Sequence, residues 1–155
     1  MQKTHILFVC HGNICRSPMA EFIFKDMVKK AGLQNCFEIH SAATSTEEIG
    51  NALYPNAARC LDGHGIPHTP HRARQIRCSD YDEYDLIIGM DEENMWNMQR
   101  FFSGDPDGKV RALMSFAGSE RSVSDPWYTR DFETAYNDIY EGCEALLAAI
   151  RKETV

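Results

Sequence analysis

The 155-residue chain predicts an α/β fold, a three-layer sandwich with a four-stranded parallel sheet flanked by helices on both faces. Short apolar runs rich in β-branched and aromatic residues alternate with amphipathic stretches at the spacing of β-α-β units. The first run, "THILFV", is nearly all apolar, as a strand buried on both faces requires. It stops at a turn of small and polar residues that leads into a helix start. That is where parallel sheets bind ligands, outside the carboxyl ends of their strands.

The elements follow in order. Thr4–Val9 is the first strand. Ser17 and Pro18 read as a helix N-cap and a first helical residue. That helix runs to about Ala31, with Ala20, Ile23, Phe24, Met27 and Val28 on one face and Gly32 as its stop. Cys36–Ala43 alternates and reads as the second strand. Pro55 opens a helix through Ala58 and Leu61, ended by Gly63 and Gly65. Tyr84–Met90 is a buried strand, followed by a helix from about Asp91 to Phe102. Lys109–Met114 is a fourth, weaker strand. From about Arg130 to Lys152 runs a long helix, with Phe132, Tyr136, Ile139, Cys143, Leu146, Leu147 and Ile150 facing the core.

Composition narrows the function. Hydrophobic residues make up 43% and charged residues 25%, the balance of one globular domain spanning residues 1–155. A net charge of −7 argues against general nucleic-acid binding, which needs a basic face to displace counterions. Any anion must therefore be captured locally, against the overall field. No apolar run approaches the roughly twenty residues of a membrane span, and no secretory leader is visible. The six cysteines, without such a leader, read as reduced thiols in a cytoplasm. No C-x-x-C pair exists, so finger-type zinc spacing is absent.

The turn "CHGNICRS" carries the chemistry. Backbone N–H groups at a helix start, with the helix dipole behind them, make an anion site. Gly12 permits a left-handed or otherwise tight conformation that lets the backbone wrap inward. Arg16 offers a planar fork for two phosphate oxygens. Cys10 begins the loop beneath the anion, where the same donors would favour its thiolate, a nucleophile already aimed. A Walker loop would need Gly-Lys before Ser or Thr, and a thioredoxin site would need C-x-x-C. Neither is present. A purely structural turn with two buried cysteines is the remaining alternative.

The segment "VCHGNICRSPMAE" resembles the signature of the low-molecular-weight protein tyrosine phosphatases: Cys, five residues, Arg, then Ser or Thr. "SAATS" (Ser41–Ser45), "HRARQI" (His71–Ile76), "MDEEN" (Met90–Asn94) and "SDPWYTRDF" (Ser124–Phe132) resemble further family segments in family order. The resemblance implies the phosphotyrosine phosphatase I-like fold and hydrolysis of protein phosphotyrosine, without metal or cofactor. Phosphotyrosine-containing proteins are then the partners and inorganic phosphate the product, with neither nucleic acid nor membrane involved.

It also implies roles. Cys10 is the nucleophile, Arg16 binds phosphate, and Asp125 is the general acid and then base; by itself Asp-Pro is a turn initiator. Ser17 resembles the residue whose hydroxyl bonds the thiolate. Asn13, Ser41 and His71 match positions that hold the loop in shape. Asp91 matches an acidic position near the arginine, or is simply a helix N-terminal charge. Cys15 matches a position that can form a disulfide with the nucleophile, or is a small buried side chain. His11, Gly12, Asn13, Ile14, Cys15, Ser17, Trp127, Tyr128 and Glu47 are expected to line the substrate site. Many members carry an aromatic where this chain has Thr46, Glu47 and Glu48, which should disfavour acidic peptides.

Two related activities compete. Thiol-dependent arsenate reductases need two closely spaced cysteines in the second half of the chain, and Cys78 has no partner before Cys143. Protein-arginine phosphatases typically carry threonine at the loop position of Ile14, so Ile14 favours phosphotyrosine. A non-catalytic anion-binding module would be expected to lack Cys10 or Asp125.

Overall fold

Strand β1 (Thr4–Cys10) is the axis of the fold, because its successive side chains feed two separate cores. Ile6, Phe8 and Cys10 join one apolar cluster with Met19, Ile23, Leu61, Ile139 and Leu146. Leu7 and Val9 join the other, with Ile76, Ile87, Met98, Phe102 and Val110. The computed structural model describes residues 2–153. Its remaining elements are α1 (Arg16–Lys30), β2 (Phe37–Ala43), α2 (Pro55–Gly63), α3 (Asp80–Glu83), β3 (Leu86–Gly89), α4 (Glu92–Phe101), β4 (Val110–Ala112), α5 (Pro126–Thr129) and α6 (Phe132–Glu153).

The four strands are parallel, in the order β2-β1-β3-β4. The expected α/β sandwich is therefore present. Helices α1 and α6 pack together over one face, and α4 lies against β3 and β4 on the other. From β1 the chain steps to β2 on one side, then crosses to β3 on the other. This places a switch point at the carboxyl ends of β1 and β3, where a crevice forms between diverging loops. Among the described residues, no helix is long and apolar enough to cross a membrane.

Boundaries differ where side chains outcompete local pattern. Helix α1 starts at Arg16, with Cys15 as its cap residue and no side-chain cap, so Ser17 is not the N-cap that its Ser-Pro sequence suggests. The third strand begins at Leu86 rather than Tyr84, after the unforeseen one-turn helix α3. Cys36 belongs to a 3₁₀ turn instead of the second strand. The fourth strand keeps only three residues. Its start is fixed by Asp105, whose carboxylate accepts the amides of Lys109 (2.8 Å) and Val110 (3.1 Å). Leu113 then leaves the sheet in a 3₁₀ turn and presses on α6 at Gly142, where an added Cβ would lie 2.5 Å from the Leu113 Cγ.

Candidate active site

The loop between β1 and α1 wraps around a sulfur. The Cys10 Sγ, 3% exposed at residue level, lies 3.0 Å from the Ser17 hydroxyl. It accepts the backbone N–H groups of Asn13 (3.3 Å) and Ser17 (3.4 Å). Three donors converge on one buried sulfur atom. Ser17 thus sits near the helix start but turns its hydroxyl to the sulfur and to the Ala42 carbonyl (3.4 Å).

The left-handed residue of the loop is not Gly12 but its neighbour. Asn13 takes the left-handed conformation, with φ 59°, while Gly12 lies outside that region. Asn13 is fully buried and its amide repays the cost of that conformation locally. Its Nδ2 donates to the Ser17 Oγ (2.8 Å), and its Oδ1 accepts from the Arg74 amide (3.2 Å). The carbonyl of Asn13 accepts from His71 Nε2 at 2.7 Å, which places the imidazole hydrogen on Nε2. What Gly12 supplies is room: a Cβ there would come within 3.3 Å of the Glu48 Cγ.

Arg16 is 3% exposed and holds two carboxylates at once. Its Nη1 is 2.9 Å from Asp91 Oδ2 and donates to the Val123 carbonyl at 3.2 Å; Nη2 is 3.3 Å from Asp125 Oδ2. Burial by itself would lower the pKa of the guanidinium, but the charges of Cys10, Asp125 and Asp91 raise it above the ordinary arginine value. Arg16 is a fixed cation. Asp91 caps α4 through Oδ1, which accepts the Asn94 amide at 2.7 Å, and sets its other oxygen against Arg16.

Asp125 caps α5 through the Trp127 amide (3.0 Å), which leaves the carboxylate facing the cleft and partly exposed. The cleft encloses about 360 Å³. Cys10, Arg16 and Asp125 line it together with His11, Gly12, Ile14, Cys15, Asp91, Trp127, Tyr128 and Glu47. Asn13 and Ser17, expected on the same surface, are instead fully buried behind the loop, because their side chains bond each other and the sulfur. Trp127 packs edge-on against Tyr54 at 5.3 Å between ring centroids, and Tyr54 stacks on Phe132 at 6.0 Å. The Tyr54 amide donates to the Ile14 carbonyl (2.9 Å), tying this aromatic wall to the loop. Tyr128 is 82% exposed at the rim.

The opposite rim is acidic. Glu47 pairs with His11 Nε2 at 3.0 Å, and Glu48 and Glu93 also line the mouth. Cys15 is a buried neutral thiol, pushed up to about 12 by burial and then by negative charge at Cys10 and Asp125. Ser41 stands apart from the loop: its hydroxyl donates to Glu21 on α1 (2.6 Å), so any support it gives passes through that helix. Sequence reasoning missed Glu93, Asn94, Tyr54, the Arg74 amide and the Val123 carbonyl. Only Asn94 had a signal, the Asp-x-x-Asn capping-box spacing within "MDEEN".

An anion at the cleft floor would meet loop amides, a buried guanidinium and a sulfur beneath, with a carboxylic acid beside the outgoing atom. This arrangement can transfer a phosphoryl group to sulfur. Residues 5–155 match the sequence profile described as Low molecular weight phosphotyrosine protein phosphatase. Over 150 residues the chain is 39% identical to the low molecular weight protein-tyrosine-phosphatase YfkJ of Bacillus subtilis, covering 96% of each. It superposes on the crystal structure of YfkJ with a TM-score of 0.94, covering 99% of this chain and 98% of that one. A chicken low molecular weight phosphotyrosine protein phosphatase is 39% identical over 147 residues, 92% of each chain. A crystallised drosophila arginine phosphatase is similar at 31% identity and TM-score 0.85, covering 94% of this chain and 96% of its own.

Proposed function

The chain belongs to the low molecular weight phosphotyrosine protein phosphatase family, and we propose that its cleft hydrolyses protein phosphotyrosine through a cysteinyl-phosphate on Cys10. The observation that carries this reading is the set of donors on the Cys10 sulfur, at the floor of a cleft flanked by Arg16 and Asp125. The phosphate oxygens take the loop amides and the Arg16 fork. The thiolate attacks phosphorus as the P–O bond to the tyrosine breaks. Asp125, in its acid form, gives its proton to the departing phenolate.

In the second step Asp125, now a carboxylate, takes a proton from water as that water attacks the cysteinyl-phosphate. The S–P bond breaks, the thiolate departs onto the Ser17 hydroxyl and amide, and inorganic phosphate leaves. The recessed floor suits an aryl ester, whose ring can lie beside Trp127 while its phosphate reaches the loop. The substrates are phosphoproteins, and the free cysteines suit a reducing cytoplasm. With a net charge of −7, neither nucleic acid nor an anionic membrane surface is an expected partner.

Phosphoarginine is the second reading, favoured by the similarity to the drosophila arginine phosphatase. Ile14, an apolar side chain on the cleft wall, supports an aromatic leaving group instead.

The test is hydrolysis of an aryl phosphate in the presence of chelator, with the phosphoenzyme trapped by acid quench. Wild type should turn over, and the trapped phosphate should map to Cys10. Undiminished turnover by Cys10→Ser would end the proposal. A preference for phosphoarginine over phosphotyrosine peptides would move the reading to the second substrate.

A further inference from the structure

Away from the cleft, three side chains of different metal-binding chemistry converge where the end of α2 meets the start of α6. Cys60 and His64 are four residues apart, so one turn of helix brings them to the same side. Glu133, the second residue of α6, reaches both. The donor atoms of the three all lie within 4.8 Å of one another. The Cys60 Sγ is 3.5 Å from Glu133 Oε1, and His64 Nε2 is 3.1 and 2.8 Å from Oε1 and Oε2.

The separations from Cys60 and His64 to Glu133 are close to the edges of a metal tetrahedron. Zinc bonds of about 2.3 Å to sulfur and about 2.1 Å to nitrogen or oxygen imply edges of roughly 3.6 Å for S···O and 3.4 Å for N···O. The thiol–carboxylate edge already fits. The imidazole–carboxylate edge needs to open by a few tenths of an ångström. The His64 ring is held in place by stacking on Tyr136, with centroids 3.7 Å apart and planes 6° from parallel. His64 and Glu133 are both solvent-accessible, giving an entry path and room for water in a fourth position.

We propose that Cys60, His64 and Glu133 form a binding site for a borderline divalent cation, zinc foremost, separate from the cleft. Thiolate, imidazole and carboxylate together suit zinc better than calcium or magnesium, which prefer all-oxygen shells. On binding, the Cys60 S–H bond is exchanged for an S–metal bond, the proton passes to solvent, and the cation sheds water; nothing is oxidised or reduced. The bound ion clamps α2 to α6. It also braces Phe132, the neighbour of Glu133 whose ring supports Tyr54 and, through it, Trp127. Finger-type spacing could not reveal such a site, because Cys60 and Glu133 are 73 residues apart. The inference is independent of the reaction proposed for the cleft.

The test uses the full chain carrying Cys10→Ser and Cys15→Ser, to remove the cleft thiols, titrated with cobalt(II) in a non-coordinating reductant. One equivalent should produce a near-ultraviolet thiolate-to-cobalt charge-transfer band and strong visible bands of four-coordination, both abolished by zinc. Adding Cys60→Ser should remove the charge-transfer band. His64→Ala and Glu133→Gln, at accessible positions, should each weaken binding about tenfold or more. Zinc should also raise the melting temperature of the parent and leave that of Cys60→Ser unmoved. Absence of the band at one equivalent, its survival in Cys60→Ser, or unchanged affinity in His64→Ala would each overturn the site.

Discussion

Arg16 and Asp125 are in direct contact, Nη2 to Oδ2 at 3.3 Å, although 109 residues separate them in the chain. The cation proposed to grip phosphate and the group proposed to protonate the leaving oxygen are therefore neighbours before substrate arrives. In the proposed reaction an incoming phosphate competes with Asp125 for the same guanidinium edge, and the carboxyl group, once parted from it, takes up from solvent the proton that it then gives to the leaving oxygen.

Asp125→Ala should lower the turnover of phenyl phosphate by roughly 10²–10³-fold, the usual worth of general acid catalysis. With p-nitrophenyl phosphate the loss should be several times smaller, because nitrophenolate departs with little need of a proton. Steady-state kinetics on the two esters make the comparison. Equal losses on both would remove Asp125 from the acid role.

Asp91→Asn keeps an amide oxygen to cap α4 but removes the charge 2.9 Å from Arg16. KM for aryl phosphate should rise roughly tenfold, about 1.4 kcal/mol, with a smaller change in kcat. The melting temperature serves as control, since loss of the cap alone would shift stability and leave KM in place.

Ser17→Ala removes the hydroxyl 3.0 Å from the sulfur and spares the backbone donor. Thiolate departure should slow about tenfold, the value of one hydrogen bond to a charged group. Pre-steady-state burst kinetics should show the cysteinyl-phosphate accumulating, and a single-phase time course would contradict this.

Cys15 is pushed up to about 12, by burial and then by the charge at Cys10. At pH 7.5 it carries a thiolate fraction of about 10⁻⁴ or less, so iodoacetamide should modify Cys10 well ahead of Cys15. Peptide mapping after brief treatment decides. The order should hold until alkaline pH, where the Cys15 thiolate begins to form.

Gly142→Ala places a methyl 2.5 Å from the Leu113 Cγ across the α6 contact. Helix propensity favours alanine, but the overlap dominates, and a net loss of about 1–3 kcal/mol is expected in denaturant melts.

Glu47, Glu48 and Glu93 give the mouth a negative rim. Phosphotyrosine peptides with flanking lysine or arginine should therefore have higher kcat/KM than acidic ones, by a few-fold at low salt, and the gap should shrink as salt screens it. Glu47→Lys with Glu48→Lys should reverse the order.

How much of this was legible follows from locality. The β1–loop–α1 unit was readable because its signals are contiguous: an apolar run, a Gly-bearing turn and a long amphipathic stretch. Ser-Pro looked like a cap, yet a sulfur seven residues earlier claimed the hydroxyl. Glycine looked like the left-handed residue, yet Asn13 bears it because its side chain has two partners waiting. Local pattern carries β4 on to Met114, since nothing local reveals that Leu113 turns toward Gly142. The Val123 carbonyl and the Arg74 amide left no trace at all, for backbone groups carry no residue signature.

The anchoring of Arg16 also bears on how the molecule is made. Its partners Asp91, Val123 and Asp125 belong to the later part of the chain, so during synthesis the guanidinium waits on the ribosome for most of the polypeptide to emerge. Until they arrive, sealing that cation inside would leave it uncompensated, at a cost of several kcal/mol. The nascent N-terminal unit keeps its arginine in water and gains catalytic competence only with the closing turns of the fold.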